Sequence, residues 1–255
     1  MSSSSGPDTT SLRRWNLVVG GLHLMQAVVL VIVAQAASLP VVNSYLTEAP
    51  GAGQYGGPAE LFGLRIDLAV GAFLLLAAID HLVVAGPARG WYERNVARGI
   101  NPARWYEYSI SASLMLVLIA MLSGIREAPA LIGIFGASAA MILFGLAMER
   151  VNVGREEIVW RPFWYGCVAG AVGWLAIGTQ LAVGIAESDV PGFVLVIFFT
   201  LFVLFSSFAL NMWLQYKRIG RWADPVYAER AYHVLSLVAK SALAWQVYAG
   251  ALAGA

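Results

Sequence analysis

Charge is scarce in this chain. Asp, Glu, Lys and Arg make up 12% of its 255 residues, against roughly 25% in an ordinary soluble domain. Cysteine is scarcer still. The lone Cys167 excludes a disulfide framework and a cysteine-built metal site, and within its apolar stretch it reads as a small buried packing residue. The net charge of +1 leaves no basic footprint for nucleic acid. The Ser-rich start, Met1 to Ser11, lacks the basic and short apolar regions of a cleavable leader and reads as a flexible tail. No internal repeat is visible, which removes support for an inverted-repeat transporter. No nucleophile–base pair or metal-ligand cluster falls in an accessible loop, so the chain does not read as an enzyme.

Apolar residues fill the space that charge leaves, at 59% of the chain. They fall into seven stretches long enough to cross a hydrocarbon core of about 30 Å: Leu12–Ala36, Leu61–Gly86, Asn101–Ser123, Ala128–Met148, Pro162–Ile185, Val190–Tyr216 and Val226–Ala251. Turn-forming residues separate them, most densely from Pro50 to Pro58 in a long first connection over residues 37–60. The expected fold is all-α: one seven-transmembrane-helix bundle spanning 1–255, multi-pass in the cell membrane. Of the 16 basic residues, 13 flank the connections on one side. These are Arg13 and Arg14; Arg89, Arg94, Arg98 and Arg104; Arg150, Arg155 and Arg161; and Lys217, Arg218, Arg221 and Arg230. The other side has only Arg65 and Arg126, with Glu48, Glu60, Glu127, Glu187 and Asp189. The positive-inside rule then puts the N-terminus in the cytoplasm and the C-terminus outside.

The sixteenth cation is Lys240, in the middle of the last span. A charged side chain there costs about 2.5 kcal/mol or more, and the distance to either interface is too long for snorkelling. Either a carboxylate neutralises the amine, or the amine is consumed covalently, for example as an imine to an aldehyde cofactor. Glu107 on the third span is the best candidate anion, and Ser111 shares its face one turn away. The alternative is a helix-start carboxylate paired with Arg104, which precedes Glu107 by three. On the last span, His233 and Ser236 precede Lys240 by seven and four, which makes a polar stripe on an apolar helix.

Three more ionisable groups lie at membrane depth in the same half as Glu107: His23, Asp80 and His81. Together they favour a hydrated polar pocket over isolated core groups. The middle spans offer an apolar tube in which Tyr108, Met115, Ser138, Met141, Ile142, Gly145, Trp164, Phe205, Phe208 and Met212 can line a slot for a flat apolar ligand. Such a stripe on its own reads as core; Lys240 is what turns it towards a ligand.

These residues carry a resemblance. The run Ala228–Gln246 around Lys240 looks like the seventh helix of heliorhodopsins, and similarity extends through Gly21–Gln26, Arg104–Ser109, Ile134–Gly145, Pro162–Gly170, Ser207–Leu210 and Leu214–Lys217. An inverted membrane topology distinguishes that family among microbial-type rhodopsins. The resemblance implies all-trans retinal bound as a protonated Schiff base on Lys240, with Glu107 as counterion. It places Ser111 and Ser236 around the Schiff base, where spacing stands Arg104 just below, and His23 and His81 in a cavity that receives a proton after illumination, to which this chain adds Asp80 as a second carboxylate. It also implies a homodimer in which the long first connection packs. The chain departs from the family pattern at Asp80, His233 and Met212, where an apolar residue, an aliphatic one and a Gln are expected.

Beyond Glu107, the third span continues through Leu114, Leu118 and Met121 with no carboxylate, and Ala242–Ala251 has none either. A pump needs a second carboxylate there, so the chain reads as a photoreceptor with internal proton transfer and a slow conformational change. The rival within this chromophore class is a light-gated or light-driven proton transporter. From another class comes a retinal-free transporter built on a Lys240–Glu107 ion pair. The basic face, Arg89–Arg104 and Lys217–Arg230, serves orientation and anionic lipid, or docks a cytoplasmic signalling partner.

Overall fold

The computed structural model describes residues 10–49, 51, 53 and 55–253. Residues 1–9 of the expected N-terminal tail, and Pro50, Ala52 and Gln54 of the first connection, lie outside the described residues. The elements run α1 (Thr10–Val33), β1 (Ser38–Leu46), β2 (Tyr55–Arg65), α2 (Ile66–Ala85), α3 (Arg89–Ala97), α4 (Pro102–Leu122), α5 (Ala128–Val151), α6 (Arg161–Glu187), α7 (Gly192–Tyr216) and α8 (Pro225–Val247). A 3₁₀ turn, Gly220–Ala223, precedes α8 and a π turn, Tyr248–Leu252, follows it. Seven long helices thus form the bundle, with α3 as a short extra helix between α2 and α4.

Six of them are long and apolar enough to cross a membrane. The seventh, α8, is of similar length but carries Glu229, Arg230 and Lys240. Glu229, His233, Ser236 and Lys240 recur at helical spacing and are all buried, so the polarity that lowers its hydropathy points into the bundle. The outer faces are inverted relative to a soluble protein. Ile32, Ile132, Val168, Leu175, Phe199 and Val203 stand exposed on the helix surfaces, which is the pattern of lipid-facing positions.

Two helix starts illustrate the local logic. Asn101 caps α4 by accepting a hydrogen bond from Arg104 N at 3.2 Å, and Pro102 follows it. Asp224 caps α8 by accepting from Val226 N at 2.9 Å, ahead of Pro225. Both use a side-chain oxygen for an otherwise orphaned N–H, then a proline whose missing N–H is harmless at that position.

One helix start differs from expectation by more than two residues. The second span begins at Ile66, not Leu61, because Tyr55–Arg65 pairs antiparallel with Ser38–Leu46 from Ser38↔Arg65 to Leu46↔Tyr55. Leu61 and Phe62 are apolar enough to extend a helix, but their backbone groups are satisfied across the hairpin instead. Val42 N donates to Arg126 O at 2.9 Å. Ser44 N and Oγ donate to the Glu127 carboxylate at 3.0 and 2.8 Å, which pins the hairpin to the start of α5. At the opposite end lie the N-terminus of α1, α3, the α5–α6 connection and the α7–α8 connection. Arg13 Nε donating to Ala85 O and Arg230 donating to Ser11 Oγ tie that arginine-rich end together.

Candidate functional site

Lys240 and Glu107 meet in the middle of the bundle. Lys240 Nζ donates to Glu107 Oε1 and Oε2 at 3.0 and 2.9 Å and to Ser236 Oγ at 3.2 Å. The two side chains are only 3% and 6% exposed. The amine also lies 4.8 Å from the centroid of the Tyr108 ring, where the ring face adds a favourable quadrupole contact. Ser236 reaches Lys240 because four residues of α8 make one turn.

Lys240 forms one end of a cavity of about 860 Å³ with an almost wholly apolar wall. Of the residues expected to line a slot, Tyr108, Met115, Met141, Ile142, Gly145, Phe205, Phe208 and Met212 do so, as does Ser236. Ser111 and Ser138 are buried but do not line it, and their hydroxyls have no partner among the described residues. Trp164 is a correction. It is 58% exposed, and its neighbour Phe163 takes the wall position, since one residue turns the helix by about 100°. The sequence reading missed Trp105 and the α6 stripe of Gly166, Gly170 and Trp174. Their spacing of four along one face was the available signal.

Gly145 explains how the wall closes on itself. A Cβ there would lie 2.4 Å from the Trp105 ring, so only glycine lets the indole approach α5 this closely. Gly145→Leu is expected to displace Trp105 into the cavity and to destabilise the protein by about 1–3 kcal/mol. The check is retinal uptake together with a detergent melting curve. Unchanged uptake would mean that the wall has more freedom than this packing implies.

Arg104 is the second correction. It leaves Glu107 free by pairing with Glu149 and Glu229, both buried. Arg104 sits in the first turn of α4, and a helical side chain leans towards the N-terminus, so it reaches the arginine-rich end while Glu107 reaches Lys240. Asn101 completes the group. Its N donates to Glu149 Oε2 at 2.8 Å and its Nδ2 to Glu229 Oε1 at 2.7 Å. The guanidinium carbon also stacks 3.8 Å from the Tyr232 ring centroid. Glu149 lies one residue past the expected end of its span, which is why it went unread.

Between the two polar centres stand three histidines. The His23 and His81 rings stack with centroids 5.9 Å apart, and His81 meets His233 edge-on at 5.2 Å. His81 Nδ1 lies 2.7 Å from Asn16 Oδ1, and His233 Nε2 lies 3.8 Å from Glu229 Oε1. Asp80 is half-buried beside His81 and within electrostatic reach of Glu107 and Lys240. On the other side of Lys240 the bundle closes with Leu116, Leu118, Met121, Leu243 and Val247 in one apolar cluster.

The cavity suits a long apolar aldehyde. Lys240 Nζ opens onto it, Tyr108, Met115, Phe205, Phe208 and Met212 would hold the chain of such a group, and Glu107 would hold the charge at its nitrogen.

A family model described as heliorhodopsin matches residues 12–252. No curated protein is matched. A solved light-driven proton pump from Leptosphaeria maculans is similar in fold, with a TM-score of 0.64 at 15% identity, covering 93% of this chain and 94% of that one.

Proposed function

For a chain that belongs to the heliorhodopsin family, we propose a light-sensing photoreceptor that holds all-trans retinal as a Schiff base on Lys240, with Glu107 as its counterion. The observation that carries this reading is the buried Lys240–Glu107 contact at the end of an apolar cavity. Retinal supplies the light absorption and isomerisation; the protein supplies its place and its charges. Glu107 offsets a positive charge at the Lys240 nitrogen, Ser236 orients that nitrogen, and the apolar wall excludes water from it.

Signalling rather than pumping is supported by the asymmetry of the bundle. Polar groups crowd one side of Lys240, whereas Leu116, Leu118, Met121, Leu243 and Val247 seal the other. A proton leaving the Lys240 nitrogen therefore has acceptors on one side only, and reversal returns it. The arginine-rich end is assigned to the cytoplasm by the positive-inside rule. A homodimer through the β1–β2 hairpin, and a cytoplasmic partner on the basic face, complete the proposal.

The test is an absorption spectrum with light-driven pH recording. Glu107→Gln is expected to displace the visible band, because the nitrogen loses its charge partner. Vesicles of the wild type are expected to give no sustained pH change under illumination. A sustained change abolished by Glu107→Gln would instead establish a transporter.

A further inference from the structure

Resting on the pigment reading above, we propose that His233 takes up the proton shed at the Lys240 nitrogen and holds it against Glu229. The argument begins with charge. Arg104 is one cation shared by two buried carboxylates, Glu149 and Glu229, so that cluster carries one uncompensated negative charge when both are ionised. Among the described residues, His233 is the histidine within ion-pair distance of either carboxylate, with Nε2 3.8 Å from Glu229 Oε1. A proton on His233 brings the cluster to neutrality. Among the described residues, neither His23 nor His81 has a carboxylate within ion-pair distance.

The ring nitrogens are arranged for the transfer. His81 Nδ1 faces the oxygen of Asn16 at 2.7 Å, so Nδ1 carries the hydrogen and Nε2 keeps the lone pair. His233 directs Nε2 at Glu229, and its buried Nδ1 has no partner among the described residues. The two rings meet edge-on at 5.2 Å between centroids, which is direct ring contact. His23 stacks on the far side of His81, and both lie close enough to Lys240 to feel its charge.

The step balances. An N–H bond at the Lys240 nitrogen breaks and one forms at His81 Nε2. That bond breaks in turn as one forms at His233 Nδ1. His81 keeps Nδ1–H on Asn16 and His233 keeps Nε2–H towards Glu229. The Lys240 nitrogen ends neutral and His233 ends as an imidazolium. The groups facing this route are Asn16 and His23 on α1, Asp80 on α2, Asn101, Arg104 and Glu107 on α4, Glu149 on α5, and Glu229 and Lys240 on α8. Asp80 is the competing acceptor.

The experiment is magnetic resonance of the full-length protein with nitrogen-labelled histidine and carbon-labelled glutamate carboxylates. In the retinal-free protein, Glu229→Gln is expected to shift the ring signals of one histidine, the one removed by His233→Gln. No shift overturns the pairing, whether or not retinal binds. In the pigment, light trapped at low temperature is expected to add one imidazolium whose nitrogens couple to a glutamate carboxylate. That signal should be lost in His233→Gln, with loss of the proton from Lys240 slowed about 100-fold. If His233→Gln forms no pigment, the coupling in wild type still decides. An imidazolium without glutamate coupling, or a new carboxylic acid removed by Asp80→Asn, overturns the proposal. Absence of any visible band in wild type defeats the pigment reading instead.

Discussion

Lys240→Ala protein mixed with all-trans retinal is expected to show no visible band, only the near-ultraviolet absorption of free retinal. The chain has two lysines. Lys217 lies just past the end of α7 with its amine over the Trp160 ring, whereas Lys240 opens onto the cavity. With its alanine variant, no primary amine remains on that wall to form an imine. The substitution also strands Glu107, whose side chain is almost fully buried. Removing one partner of a buried ion pair costs about 3–5 kcal/mol, so loss of colour could be confused with loss of fold. The double variant Lys240→Ala with Glu107→Gln removes the stranded charge and separates the two. Adding retinal as its imine with ethylamine is expected to restore a visible band in Lys240→Ala, since the cavity and Glu107 remain. A visible band in Lys240→Ala without added amine would sink the assignment.

Arg104→Met is expected to be the most destabilising single change at the arginine-rich end. Methionine fills a similar volume but leaves Glu149 and Glu229 buried with no cation. Asn101 can satisfy one oxygen of each, which offsets only part of the lost attraction. The stacking of the guanidinium on Tyr232 and Trp105 disappears as well. A loss of about 3–5 kcal/mol follows, a large share of the roughly 5–15 kcal/mol that separates most folded domains from unfolding. The measurement is thermal unfolding in detergent, with Arg104→Met, Glu149→Gln and Glu229→Gln combined. The triple variant is expected to recover much of the lost stability, because it removes the uncompensated charges together. If Arg104→Met melts like the wild type, the three groups are not coupled as their contacts imply.

Much of this was written in the sequence, for identifiable reasons. Bilayer thickness fixes the length of a crossing helix, so apolar run length placed six of the seven long helices to within a few residues at their starts. The same rule misplaced the start of α2, because hydrophobicity does not distinguish a lipid-facing helix from a hairpin strand paired with Ser38–Leu46. Lys240 stood out because an amine at mid-span is costly, and Glu107 because helical spacing put it at a matching depth. Residues whose meaning lies in a cost or a period were legible.

Partners were not. From spacing, Glu107 could pair with Arg104 or Lys240, and three residues of helix separate those outcomes. Only the packing of α4 against α5 and α8 gave Arg104 to Glu149 and Glu229 and left Glu107 to Lys240. Trp164 and Phe163 traded places for a similar reason, since side-chain direction depends on how α6 is rotated in the bundle. The sequence by itself therefore determined that this chain crosses a membrane with a buried amine and a carboxylate near it. Tertiary structure decided which charges neutralise one another and that His233 stands between two polar centres. Burial energies are properties of single residues, while ion pairs and ring contacts depend on distances that only the assembled helices set.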